Sequence, residues 1–332
     1  MKRREFIALL GGTAAVPLVR PRSARAQQDR MRRVGVFNAV YEQSDREWQA
    51  RYAAFINTLQ SLGWSDGGNV RIEYRQETGD IERLRIAAAE VARSAPDVIV
   101  SFSNPIVIEL RKLTATIPIV FVQVSEALDG GLVPSLARPA GNMTGFQNFE
   151  PEMGGKWLGV LNEAAPSLKR AAVLFGSDAT GNVGFLRNAE AVAPSLGVTI
   201  SPIDVFPSGE IERALARFAE AADGGLIIFP HPLNVRNRGA VIVLAARYRL
   251  PAIYPYRYFA AEGGLLSYGP DQIEQWRGAA SYVDRILRGE KPGNLPVQAP
   301  TNYELVVNLK TAKALGLVIP PAFPLRADEV IE

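Results

Sequence analysis

One feature limits the fold more than any other: short β-rich runs alternate with amphipathic helical stretches along almost the whole chain. RRVGVF (32–37) reads as a strand, REWQARYAAFINTLQSLG (46–63) as a helix stopped by Gly63, and NVRIEYRQE (69–77) as a strand of period two. DIERLRIAAAEVARS (80–94) is the next helix and PDVIVSFS (96–103) a buried strand. PIVIELRKLT (105–114) follows as a helix with Pro105 in its first turn, where a missing N–H does no harm. PIVFVQVS (118–125) and GNMTGFQN (141–148) are two more strands. The order β-α-β-α-β-α-β predicts a parallel sheet covered by helices on both faces.

The pattern then restarts. Helices are predicted over 154–168, 183–197, 210–222 and 238–250, and strands over 170–176, 198–206, 224–230, 251–256 and 263–269. The two halves share little residue identity, so the repeat is one of architecture. A long helix, DQIEQWRGAASYVDRILRG (271–289), follows, with Asp271 and Glu274 spaced as an N-cap and its capping partner. NLPVQAP and YELVVNL read as strands at a domain junction. Trp48, Trp64, Trp157 and Trp276 fall in or beside helical stretches at apolar positions and are expected to pack in the core or on a domain face.

The first residues stand outside this pattern. Phe6 to Val19 is an uncharged run of 14 residues, too short for a membrane span of about 20. Lys2, Arg3 and Arg4 precede it and Ala24-Arg25-Ala26 follows, which is the layout of an export signal cleaved after Ala26. The pair Arg3-Arg4 before Glu5-Phe6-Ile7 looks like a twin-arginine leader, and Arg20, Arg22 and Arg25 disfavour the general secretory route. With no cysteine after the apolar run, a lipid anchor is not expected; a periplasmic location is.

That reading changes the electrostatics. The full chain of 332 residues has 37 Lys+Arg and 34 Asp+Glu; the leader holds six of the bases and one acid, leaving 31 and 33, a net charge of −2. The basic character belongs to the leader, which removes the composition case for nucleic acid as a partner. The absence of Cys excludes disulfides, thiolate metal sites and a cysteine nucleophile.

The arrangement resembles the substrate-binding proteins of bacterial ABC transporters, a group that includes tryptophan- and tyrosine-type binders. The likeness is carried by KRREFIALLGG, TIPIVFV (116–122), RPAGNMTGF (138–146), LAARYRLPAIYPYRYFAAEGGLLSYGPD (244–271), RILRGEKPGNLPVQAPTNYELVVNLKTAKALGL (285–317) and RADEVIE at the end. It implies the type I periplasmic-binding fold: α/β, two doubly wound parallel-sheet domains joined by a three-crossing hinge. Residues 27–148 plus 272–300 would form one domain, and 149–271 plus 301–332 the other. The crossings would lie near 147–152, 269–272 and 298–302. The implied partners are a small polar solute, an amino acid or aromatic compound among the options, and an ABC permease; a monomer without cofactor is expected. A periplasmic sensor for a membrane receptor shares the fold and differs only in partner.

In open parallel sheets ligands bind outside the carboxyl ends of the strands, so the candidate residues follow each strand. In the first half they are Asn38 and Tyr41, with Ser44 nearby, then Ser103 and Asn104, then Ser125 with Glu126. Asn104 is either the N-cap of the following helix alone or a cap that also meets the ligand; free N–H groups there suit a carboxylate. In the second half they are Asp178, Thr180 and Asn182, with Ser177, and then His231, Tyr256 and Tyr268. His231, the only histidine, is open to a structural and a ligand-contact reading, and no second ligand nearby supports a metal. Tyr256 offers a ring with a hydroxyl, and Tyr268 either binds or packs in the hinge.

Catalytic signatures are missing from the sequence. His231 has no GxSxG nearby, Gly154-Gly155-Lys156 lacks phosphate-loop spacing, and no GxGxxG follows the first strand. A DNA-binding regulator on this fold would carry a helix-turn-helix where the leader stands. The expected role is non-enzymatic solute binding, with an enzyme on the same fold as the less favoured alternative.

Overall fold

The structure is a computed structural model that describes residues 30–78, 81–128, 130–205 and 210–332. The leader, its cleavage site and the twin arginines lie outside the described residues. Two sheets organise Arg32–Glu332, which forms one compact unit. In the first, β1 (Arg32–Asn38), β2 (Val70–Gln76), β3 (Val98–Phe102), β4 (Ile119–Val124) and β5 (Met143–Gln147) are all parallel, in the order β2-β1-β3-β4-β5. Helices α1 (Arg46–Ser61), α2 (Ile81–Arg93) and α3 (Asn104–Leu113) connect them.

The second sheet repeats that order and extends it. Strands β6 (Arg170–Phe175), β7 (Thr199–Asp204), β8 (Gly224–Ile228), β9 (Ala252–Tyr254) and β10 (Leu266–Pro270) run parallel as β7-β6-β8-β9-β10. Its helices are α4 (Met153–Ala164), α5 (Thr180–Val192), α6 (Ile211–Phe218), α7 (Pro232–Arg236), α8 (Arg238–Arg247) and α9 (Arg257–Ala261). Beyond β10 the edge is completed by β11 (Tyr303–Asn308), antiparallel to it, and β12 (Glu329–Ile331), with α11 (Leu309–Leu315) between them. The mixed edge comes from the C-terminal segments.

Between these strands the chain leaves the second sheet. Helix α10 (Gln272–Leu287) packs on α1 and on β3, β4 and β5 of the first sheet. Its start is set by Asp271, whose carboxylate accepts from the N–H groups of Ile273 at 2.7 Å and Glu274 at 3.4 Å. Its anchor is Trp276, fully buried edge-on against Trp48 (5.2 Å between centroids) and Phe102 (5.7 Å). Fully burying a large apolar side chain stabilises by about 3 kcal/mol, so this aromatic knot fixes α10 on the first lobe. The matching knot of the second lobe is Trp157 among Phe149, Phe185 and Phe229.

Two details depart from expectation. NLPVQAP forms no strand; only an isolated bridge joins Gln298 to Phe146, because Pro296 and Pro300 remove donors on either side. Short helices α7 and α9 occupy stretches for which the sequence predicts no element. The Gly154-Gly155 pair serves close packing: a Cβ on Gly154 would collide with the Phe185 carbonyl of α5, and Asn188 accepts from the Gly155 N–H at 2.9 Å.

Candidate functional site

The loops after β1, β3, β4 and β5 face those after β6, β8 and β9 across a cleft between the two sheets. In the first wall, Asn38 shapes the loop after β1. Its amide accepts from the N–H groups of Val40 (3.0 Å) and Tyr41 (3.1 Å) and donates to the Tyr41 carbonyl and the Tyr74 hydroxyl, both at 2.8 Å. Those four bonds use an amide's full capacity. Asn38 therefore positions Tyr41 and has nothing left for a ligand, contrary to its expected role. Tyr41 lines the cleft, stacked on Phe102 at 5.7 Å.

Ser103, Asn104 and Pro105 open α3 at the cavity. Asn104 is not the cap expected of it. Ser103 occupies that position, and the Asn104 amide instead donates to the Ser125 carbonyl (2.9 Å) and accepts from the Ser125 N–H (3.0 Å), tying the loop after β3 to the one after β4. Ser103 (φ 78°), Gln123 (φ 56°) and Glu126 (φ 54°) hold left-handed backbone conformations in these two loops. Non-glycine residues there cost about 1–3 kcal/mol each and persist where the surroundings over-determine them, often at binding sites.

The second wall is internally bonded. Asn182, buried in the first turn of α5, accepts from the Gly176 N–H at 3.0 Å and donates to the Pro230 carbonyl at 2.9 Å, joining the loops after β6 and β8. His231 Nδ1 accepts from the Leu233 N–H at 3.2 Å, so in the neutral ring Nε2 carries the proton and donates to Asp178 at 3.0 Å. A first bond between the walls runs from Asn148 Nδ2, at the end of β5, to the Tyr256 hydroxyl at 2.9 Å.

The walls also touch. The Tyr41 and Tyr258 hydroxyls are 3.1 Å apart, and the buried Arg51 guanidinium lies over both rings at 4.7 and 5.4 Å. Arg51 is held by Gln272 at the start of α10 and by Glu47 at 3.3 Å. Burial pushes the Tyr41, Tyr256 and Tyr258 hydroxyls above the usual tyrosine range. At the rim Arg238 bonds Asp45 at 2.8 Å, and Arg236 bonds the Thr78 carbonyl. The bare face of α5 abuts the loop after β4: a Cβ on Gly181 would lie 2.9 Å from that of Ser125, and one on Gly184 would collide with the Glu126 carboxylate.

Of the residues expected from sequence, Tyr41, Ser103, Asn104, Ser125, Asn182, His231 and Tyr256 line the cavity. Asp178 stands behind His231. Tyr268 lies on β10 against Tyr303 (5.7 Å), with its carbonyl bonded to Trp157, away from the cavity. The main chain of Thr180 begins α5; its side chain lies outside the described residues. The sequence reading missed Phe102, Gln123, Asn148 and Gly181. Asn148 had a legible signal, since it is a polar residue just beyond the carboxyl end of a buried strand, whereas Gln123 lies inside one. Among the described lining residues there is no Asp, Glu, Lys or Arg.

The family model described as ABC transporter substrate binding protein matches residues 34–331. The chain belongs to that family. A tyrosine-binding protein of Clostridioides difficile (strain R20291) is 23% identical over 263 residues, which span 79% of this chain and 75% of that protein. A conserved domain protein from Vibrio cholerae O1 biovar El Tor (strain N16961) superposes with TM-score 0.83 at 25% identity, over 91% of this chain and all of that one. A Streptococcus pneumoniae domain solved in complex with L-Trp superposes with TM-score 0.82 at 22% identity, over the same shares. The two-sheet α/β fold is shared with these two solved structures. Among the described residues no helix is long and apolar enough to cross a membrane.

Proposed function

We propose that the protein is the extracytoplasmic solute-binding component of an ABC uptake transporter. In this reading it captures a small polar solute of amino-acid type by closing two lobes and delivers it to a membrane permease as a monomer. The observation that carries the reading is a cavity lined from both sheets, with tyrosines of opposite walls in hydroxyl contact at 3.1 Å. A site completed only when both walls meet makes the ligand favour the closed arrangement, because both sets of contacts exist only there. The lobes are 27–148 with 272–300, and 149–271 with 301–332. Relatives described as tyrosine-binding and as an L-Trp complex support an amino acid, and the rings of Tyr41, Phe102 and Tyr256 suit an apolar or aromatic side chain.

A thermal-shift screen of amino acids, small amides and aromatic acids tests this. A true ligand at 100 times its Kd adds about 2.7 kcal/mol of stability. Turnover of a substrate with no binding shift would overturn it. Export is tested separately: replacing Arg3 and Arg4 by Lys should block it and leave the folded protein intact, whereas unimpaired export would point to the general secretory route.

A further inference from the structure

Two buried amide atoms in the cleft have no hydrogen-bond partner among the described residues: Nε2 of Gln123 and Oδ1 of Asn148. Both residues line the cavity, at 8% and 1% exposure. They sit on neighbouring chains at the carboxyl ends of β4 and β5, where the Asn148 N–H donates to the Val124 carbonyl at 2.8 Å. The β4–β5 register shifts between Val122 and Val124, so the strand bulges at Gln123, whose φ is positive. Bulges beside sites re-aim a side chain.

Buried amides elsewhere in the fold are fully or half paired, and the half-paired ones, Asn234, Gln272 and Gln275, do not line the cavity. Asn38 makes four bonds, and Asn182 is bonded through both its amide atoms. A buried donor and a buried acceptor left unpaired on neighbouring strand ends of one cavity are the complement of a ligand bearing both an acceptor and a donor. Charge narrows the class further. No described lining side chain is an acid, lysine or arginine. Of the nearby charges, Asp178 is bonded to His231, the Arg51 guanidinium faces the Tyr41 and Tyr258 rings, and the Glu126 carboxylate lies against α5. A solute with net charge would be desolvated without a counter-charge.

We infer that Gln123 and Asn148 contact the ligand directly and select a solute of zero net charge that presents an acceptor to Gln123 Nε2 and a donor to Asn148 Oδ1. The carboxylate and ammonium of a zwitterionic amino acid meet both requirements. The inference rests on the solute-binding reading above and names the chemistry of that same site.

The test uses the purified, exhaustively dialysed protein and Gln123→Met, which keeps the length of the side chain and removes its donor. Melting is followed without solute and with L-tryptophan, L-tyrosine, tryptamine or indole-3-propionate. Without solute, Gln123→Met should melt at or above the wild-type temperature, because an unpaired buried donor is replaced by an apolar group of similar shape. L-Tryptophan or L-tyrosine should bind it about tenfold or more weakly than wild type. Tryptamine and indole-3-propionate, each with one charge, should bind wild type far more weakly than the zwitterion.

A drop of several degrees in the solute-free variant would make Gln123 structural and overturn the inference, as would undiminished affinity for the amino acid. Equal binding of either charged analogue would overturn the zero-charge requirement. If none of the four probes shifts wild type, it is the amino-acid reading that fails, and the solute-free melting comparison still decides the role of Gln123.

Discussion

The two walls of the cleft rest on the same strand order and use their polar side chains differently. The second wall is bonded to itself: Asn182 joins two loops, and both nitrogens of His231 have partners. The first wall and the hinge beside it are strained and incompletely paired. Ser103, Gln123 and Glu126 hold positive φ, and amide atoms of Gln123 and Asn148 are orphaned. Asn38 and Asn104 are the bonded exceptions, and the bonds of Asn104 hold the two strained loops together. A wall with unpaired groups gains most from a ligand, and a wall already satisfied closes over it as a rigid surface. Binding is therefore expected to begin on the first wall.

The largest expected effect concerns the tyrosines that span both walls. Burial raises the pKa of Tyr41, Tyr256 and Tyr258 above the usual value near 10. Below pH 10 folded and unfolded chains are both protonated and stability is unaffected. Above it the unfolded chain releases protons that the folded chain keeps, so stability falls by about 1.4 kcal/mol per pH unit for each such tyrosine. Absorbance at 295 nm and circular dichroism should show these hydroxyls ionising only together with unfolding. Reversible titration near pH 10 in an intact fold would mean the walls are wet.

Asn182→Ala strands a buried N–H and a buried carbonyl on the second wall and should cost about 2–5 kcal/mol in urea unfolding. Its contrast with the unharmed Gln123→Met is the sharpest form of the comparison, and similar losses for both would erase it. Gly184→Phe puts a ring where the Glu126 carboxylate lies. It should hold the walls apart, weaken solute binding at least about tenfold (1.4 kcal/mol) and raise the radius of gyration in small-angle scattering with solute present. An unchanged radius would show that α5 does not gate closure. Tyr258→Phe removes the hydroxyl that meets Tyr41 and should weaken binding by about 1 kcal/mol, read by titration calorimetry. Smallest is Arg238→Met at the rim, at about 0–1 kcal/mol, with the loss shrinking in high salt; a salt-independent loss would point to packing of the arginine stem.

Much of this architecture is legible in the amino-acid sequence. Both rounds of strand and helix, the Asp271 cap and the interior placement of Trp48, Trp157 and Trp276 follow from period and capping chemistry. Several cleft residues follow from the rule that ligands sit beyond strand ends. The misses share a cause. Asn38 and Asn104 are polar residues just after strands, as a ligand contact would be, and only the neighbouring loops show that their bonds go to Tyr41, Tyr74 and Ser125. Gln123 lies inside a run that reads as a continuous apolar strand, and the bulge that turns it outward is set by pairing with β5, which is distant in sequence. NLPVQAP has strand-like composition but lacks the donors to build a ladder.

By itself the sequence determined two α/β halves of parallel strands, because hydrophobic period and turn chemistry are local and repeat along the chain. It also marked the strand ends where a site would form. Tertiary structure alone decided that α10 returns to the first sheet, that Tyr41 meets Tyr258, and that Gln123 Nε2 and Asn148 Oδ1 are left without partners. Those outcomes depend on contacts between residues far apart in the chain. Whether a buried polar group is bonded or free is a property of its surroundings, which no local pattern records.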